Sequence, residues 1–156
     1  MARVPYPKLE DLPEAERPIY QRMVRERGTG HIWLALANAP KILDAVMTMA
    51  GALRNDTVFE KRFRELGVVM VGLVTGSAYE FDHHWNAALK AGIPRAHLEA
   101  LPEFETSALF DARDRAVMRF ATEATRAGTV ENATWDALRT HFGTEQIMEI
   151  LLTVAV

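Results

Sequence analysis

Apolar residues recur at spacings of three and four along most of this chain, and no segment alternates apolar and polar positions over the length of a strand. Residues 1–12 read as an extended arm, held out of helix by Pro5 and Pro7. A first helix is expected from about Pro13 to Arg27, stopped at Gly28, with a loop or partly helical connection over Gly28 to Ala39. Pro40 suits the first turn of a second helix to about Arg54, whose apolar face is Ile42, Leu43, Val46, Met49, Ala50 and Leu53. Thr57-Val58-Phe59-Glu60 has the form of a capping box and predicts a helix to about Thr75. After Glu65 that helix is apolar on nearly every side, which makes it the central, buried one. Gly72 and Gly76, one turn apart, would let a neighbouring backbone come close. A break at Gly76 or Ser77 leads into a helix to Lys90, ended by a left-handed cap at Gly92.

Pro94 restarts a short helix to about Leu101, and a loop follows to Leu109. Asp111 can cap a helix over Ala112 to about Arg126, ended by Gly128. A further helix covers about Glu131 to Phe142, closed by Gly143, and Thr144 caps the last one, with Ile147, Ile150, Leu151 and Val154 inward. That helix is still apolar at Val156, which points either to further chain or to an end buried against another subunit. The expected fold is all-α, a single-domain helical bundle of about seven to eight helices. An arm and first helix over 1–27 precede a helical domain over 28–156.

Composition narrows the function classes. The 156 residues are 49% hydrophobic and 25% charged, with 18 basic and 21 acidic side chains and a net charge of -3. No basic stripe stands out, so nucleic acid is not expected as a partner. There is no cysteine, which removes disulfides, thiolate metal sites and thiol catalysis together. The charged, proline-broken N-terminus lacks the apolar core of a signal peptide, and the apolar run Gly67 to Val74 is far short of a membrane span. A cytoplasmic protein without membrane contact is expected.

The candidate chemistry lies in Gly76-Ser77-Ala78-Tyr79-Glu80-Phe81-Asp82-His83-His84-Trp85, directly after the buried helix. On a helical wheel Phe81, Trp85 and Ala88 face inward, and Tyr79, Asp82, Asn86 and Lys90 face outward. Ser77, Glu80 and His84 share one sector at the border of the apolar face, and His83 points to the wetter side. Glu80 and His84, four apart, would pair and hold the imidazole. Glu65 shares a stripe with Val69, Gly72 and Gly76; if it packs on that sector, two carboxylates and a histidine meet at an apolar boundary, a setting for proton transfer near neutral pH. Plainer roles stand beside these. Glu65 could be a surface carboxylate paired with Lys61 or Arg62, His84 a border histidine bonded to Glu80, and Ser77 a helix-start residue. Glu80-Phe81-Asp82-His83 also has the Glu-x-x-His spacing of di-iron bundles, but no second copy exists: three residues after Glu149 comes Leu152. No metal is expected; a single site, if any, would use Glu80, His83 and His84.

Taken together, Glu65, Ser77, Glu80, His83 and His84, followed by Ala87-Ala88-Leu89-Lys90-Ala91-Gly92, resemble the carboxymuconolactone decarboxylase family, the all-helical superfamily that includes the alkyl hydroperoxidase D proteins. Flanking segments are similar too: Ala35-Leu36-Ala37-Asn38-Ala39-Pro40, Asp114-Arg115-Ala116-Val117-Met118-Arg119-Phe120 and His141-Phe142-Gly143-Thr144-Glu145-Gln146. The redox members of that family carry Glu-x11-Cys-x2-Cys-x3-His. Here the spacing falls on Glu65, Ser77, Glu80 and His84, so the glutamate and histidine match while both cysteines are replaced. The resemblance covers about residues 28–156. It implies an alkyl hydroperoxidase D-like fold, a cofactor-free proton-handling site of Glu65, Glu80, His84 and Ser77, a small-molecule substrate, and homo-oligomers such as trimers or hexamers. A peroxidase or disulfide-reductase activity is not expected without a thiolate. What survives of the site suits decarboxylation or isomerisation of a small carboxylated or lactone metabolite. A metal-dependent variant and a non-catalytic oligomeric binding protein are the alternatives.

Overall fold

A computed structural model describes residues 3–155; Met1, Ala2 and Val156, and with them the start of the expected arm and the end of the last helix, lie outside the described residues. Among those residues there are nine α-helices and no strand. The chain divides into two compact units, one running to Asp56 and the other from Thr57.

In the first unit, two 3-10 turns, Leu9–Asp11 and Glu14–Glu16, lead into α1, Arg17–Arg27. The α-helix thus begins later than the Pro13 expected, because Pro18 lacks an N–H and its ring clashes with a carbonyl four residues back, which confines it to a first turn. The Gly28–Ala39 connection contains a short helix, α2, His31–Leu36, which accounts for the ninth helix. The next helix, α3, spans Pro40–Asn55. Met23, Ala37, Leu43 and Met47 close this unit's core.

The second unit is organised around α4, Lys61–Thr75, which packs against α5 (Ala78–Lys90), α7 (Ala112–Ala127) and α9 (Thr144–Ala155). Leu66, Val69 and Met70 of α4 join Ala88, Ile93, Leu98 and Leu101 in one cluster. On another side Phe63 of α4 meets Val117, Phe120, Leu138, Phe142 and Ile150. Between α5 and α7 lies α6, Arg95–Glu99, followed by a 3-10 turn, Leu101–Glu103. Helix α6 stops short of Leu101 because Pro102 cannot continue an α-helix. Asp111 caps α7 through the Asp114 N–H, as expected, and Asp114 answers with a bond from the Asp111 N–H while also binding Arg62. Helix α8 is Asn132–His141.

Two expected caps are replaced. Thr57 does not cap α4, which starts after Glu60, a cap residue whose side chain makes no capping bond. Phe59 is buried in the cluster with α7, α8 and α9, and this draws Thr57–Glu60 out of helical geometry. The Val58 and Phe59 N–H groups are bonded instead by the Glu149 carboxylate of α9, at 3.0 and 3.2 Å. Thr144 is the first residue of α9 rather than its cap. Gly143 takes that place: its carbonyl accepts the Ile147 N–H, and its own N–H reaches the Gln146 side chain.

Candidate active site

Helix α4 ends at Gly76, whose φ of 68° closes the last turn in the left-handed region open to glycine. Ser77 then caps α5 by accepting the Glu80 N–H at 3.5 Å. The chain therefore reverses within Thr75–Ser77, and α5 runs back along α4. Close approach is possible because Gly72 has no side chain: a Cβ there would lie 2.8 Å from the Phe81 backbone nitrogen and 2.9 Å from its Cα.

That approach brings Glu65 of α4 to His84 of α5. Glu65 Oε2 and His84 Nδ1 are 2.9 Å apart. Glu65 is only 4% exposed, so the surface-carboxylate role fails. Its other oxygen accepts from Arg64 Nε at 3.0 Å, and Arg64 Nη2 lies 2.9 Å away. Glu80 is farther: its Oε2 stands 3.8 Å from His84 Nε2, and its side chain is 44% exposed. Glu65, rather than the expected Glu80, thus holds the imidazole, and Glu80 flanks the free edge of the ring at the solvent side. Ser77 sits at the start of α5, and among the described residues no hydrogen bond joins it to Glu65 or His84. His83 is exposed, its ring parallel to that of Tyr79 and edge-on to that of His84. Among the described residues no three His, Asp or Glu side chains gather as a metal site, so Glu80, His83 and His84 do not form one.

The electrostatics fix the tautomer. Burial pushes the Glu65 carboxyl up, but the bonds from His84 and Arg64 and the charge of Arg64 outweigh it and hold the group below the ordinary carboxylate value. Glu65 is therefore ionised at neutral pH and can only accept hydrogen bonds. His84 must donate from Nδ1, which leaves Nε2, on the Glu80 side, to take up or deliver a proton.

This pair has a consequence in acid. A carboxyl whose folded pKa is depressed stabilises the fold above its unfolded value, near 4.3, and that share is lost as pH falls through the folded value. The stability gap between wild type and Glu65→Gln, read from urea midpoints, is therefore expected to be full above about pH 5 and to shrink toward pH 3. A gap that does not change with pH would contradict this account of Glu65.

Arg64 is the residue that sequence reasoning passed over. Neighbours at i,i+1 do not face each other on a helix, and only the length of the arginine side chain lets it reach back to Glu65. Two grooves of about 370 Å³ each open elsewhere in this unit, and neither is lined by Glu65, Glu80 or His84.

The sequence profile of the carboxymuconolactone decarboxylase family matches residues 40–123, more than half of the chain. Among curated proteins, none matches the sequence significantly. Several solved structures share the fold. One is a cysteine-to-alanine variant of the debrominase Bmp8 in complex with 2,3,4-tribromopyrrole, at a TM-score of 0.80 and 19% identity, covering 99% of this chain and 83% of that one. Another is the alkylhydroperoxidase AhpD core of an uncharacterised peroxidase-related protein from Ralstonia eutropha, at 0.76 and 25% identity, covering 98% and 83%. A protein of unknown function from Agrobacterium tumefaciens aligns at 0.65 and 17% identity, covering 77% and 83%. Among the described residues no helix is long and apolar enough to cross a membrane.

Proposed function

The chain belongs to the carboxymuconolactone decarboxylase family, and we propose that it carries out cofactor-free acid/base chemistry on a small carboxylated or lactone metabolite. The observation that carries this reading is the 2.9 Å bond between the buried Glu65 carboxylate and His84 Nδ1. It orients the ring and fixes which nitrogen faces outward, which a general acid requires. In a decarboxylation the carbon–carbon bond to the carboxylate breaks and carbon dioxide leaves. The electron pair stays on the ring carbon as a dienolate conjugated with the lactone carbonyl, and Nε2–H of the protonated His84 delivers a proton to carbon. Glu65 is the positioning residue. Arg64 keeps Glu65 ionised, and Glu80 lies beside Nε2, where it can accept from a substrate hydroxyl or from one bridging water.

Thiol chemistry has no place in this reading, since the chain has no cysteine to form a thiolate. The tribromopyrrole in the debrominase complex is consistent with a small ring as the substrate. Family resemblance supports a homotrimer or homohexamer, and the exposed Met148 and Leu152 of α9 offer an apolar stripe for self-association.

The test is turnover of γ-carboxymuconolactone, followed as carbon dioxide release across pH. The expected result is a bell-shaped profile, with kcat reduced about tenfold or more in Glu65→Gln, where the ring is no longer held by a charge. A wild-type protein that turns over neither this compound nor other γ-carboxylactones overturns the proposal. A second reading, a non-catalytic binding protein, is favoured by the placement of both grooves away from the Glu65–His84 pair. Under it, small ligands raise the melting temperature of wild type and His84→Ala equally.

A further inference from the structure

We propose that the groove between the second half of α4, the 3-10 turn Leu101–Glu103 and the last two turns of α7 binds a small apolar monocarboxylate. Met70, Leu73 and Val74 of α4 line it, with Leu101 and Phe104 across from them and Arg126 on α7. Its volume, about 370 Å³, is at the small end of the sites that hold small molecules. Met70, Leu101 and Phe104 are buried members of the core, whereas Leu73 and Val74 are only partly covered, so an apolar surface is left wet along the groove.

Arg126 supplies the charge, and its neighbours show why it is available. The other arginines of α7 are engaged: Arg113 with Glu60, Arg119 with Glu105, and Arg115 with the Ser107 carbonyl. Arg126 makes no hydrogen bond or ion pair among the described residues. Glu123, one turn before it, would be the natural partner, but its carboxylate is turned to α8, where it accepts from the Glu131 N–H at 2.9 Å and from the Thr134 hydroxyl at 2.7 Å.

These groups define the occupant. Thr122, also in the lining, has already given its hydroxyl proton to the Met118 carbonyl at 2.8 Å. The groove therefore offers one guanidinium fork beside the partly covered side chains of Leu73 and Val74. A fork binds one carboxylate in two parallel bonds. An exposed ion pair is weak alone, so binding also needs an apolar body over Leu73 and Val74. A neutral ring would leave the guanidinium unused, and a dianion would find a single cation. Neither Glu65 nor His84 lines the groove, so this inference stands or falls independently of the proposed reaction.

The experiment is an amide-resolved NMR titration with 4-phenylbutyrate and with 4-phenylbutanol, which has the same body without the charge, on wild type and on Arg126→Gln. The side chain of Arg126 is exposed, and its replacement should leave the fold intact. The expected result is shifts confined to the second half of α4, the 101–104 turn and the end of α7, with the acid about tenfold tighter than the alcohol. In Arg126→Gln the two probes should bind within about twofold of each other. Equal affinity of acid and alcohol for wild type, or no groove shifts up to about 10 mM acid, overturns the proposal. So does an Arg126→Gln variant that changes the sedimenting mass and leaves acid binding unaltered, which would make the groove a contact between chains.

Discussion

With His84 replaced by alanine, decarboxylation of γ-carboxymuconolactone is expected to fall by about 10²–10⁴-fold in kcat, the range that a positioned general acid contributes. The loss follows from geometry. Nε2 is the only nitrogen of the ring turned away from Glu65. The exposed His83 meets the His84 ring edge-on. The fold should survive the change. Glu65 keeps its ion pair with Arg64, so no charge is left uncompensated. The cost is one lost hydrogen bond and some packing, about 1–3 kcal/mol, against a total stability of about 5–15 kcal/mol. His84→Gln separates the two contributions. Its amide can still donate to Glu65, so stability should be closer to wild type, yet it cannot exchange a proton and should be as inactive as alanine. Rates measured beside circular dichroism and melting curves check both halves. A kcat within about threefold of wild type for both variants would remove His84 from the chemistry.

The parts of this site that were legible in the sequence are those set by helical periodicity. The stripe of Glu65, Val69, Gly72 and Gly76 and the sector of Glu80 and His84 are local patterns, and a glycine break between them leaves few ways to pack two antiparallel helices. The Glu-x11 to His spacing carried by the family resemblance pointed to the same pair. What was not legible depends on contacts distant in sequence. Glu149 bonds the Val58 and Phe59 amides from about ninety residues away, and it displaces a capping box that local chemistry favours. Glu80 and His84 satisfy the i,i+4 rule, but a buried carboxylate from the neighbouring helix competes better for Nδ1 than an exposed one on the same helix. The short α2 helix was legible only as a partly helical connection for the opposite reason: its six residues are too few to show a period.

Gly72→Ala is expected to destabilise the fold by about 2–3 kcal/mol, and to reduce activity by more than the stability loss alone explains. A Cβ at this position meets the Phe81 nitrogen at 2.8 Å and its Cα at 2.9 Å, both backbone atoms that cannot rotate away. Overpacking of this kind costs about 1–3 kcal/mol and at times more, and here helix α5 must move as a body. The better helix propensity of alanine offsets about 1 kcal/mol of a larger clash. For a chain of this length the melting temperature should drop by roughly 5–10 °C. Displacing α5 from α4 also stretches the 2.9 Å bond between His84 and Glu65, so kcat should fall even where the variant is fully folded. Gly67→Ala is the matched control on the same helix. Its Cβ would meet Val117 and Val154 side chains at 3.6 Å, ordinary contact, so the propensity gain should leave it neutral or up to about 1 kcal/mol more stable. If the two substitutions cost the same, the close crossing of α4 and α5 at Gly72 is not what holds Glu65 against His84.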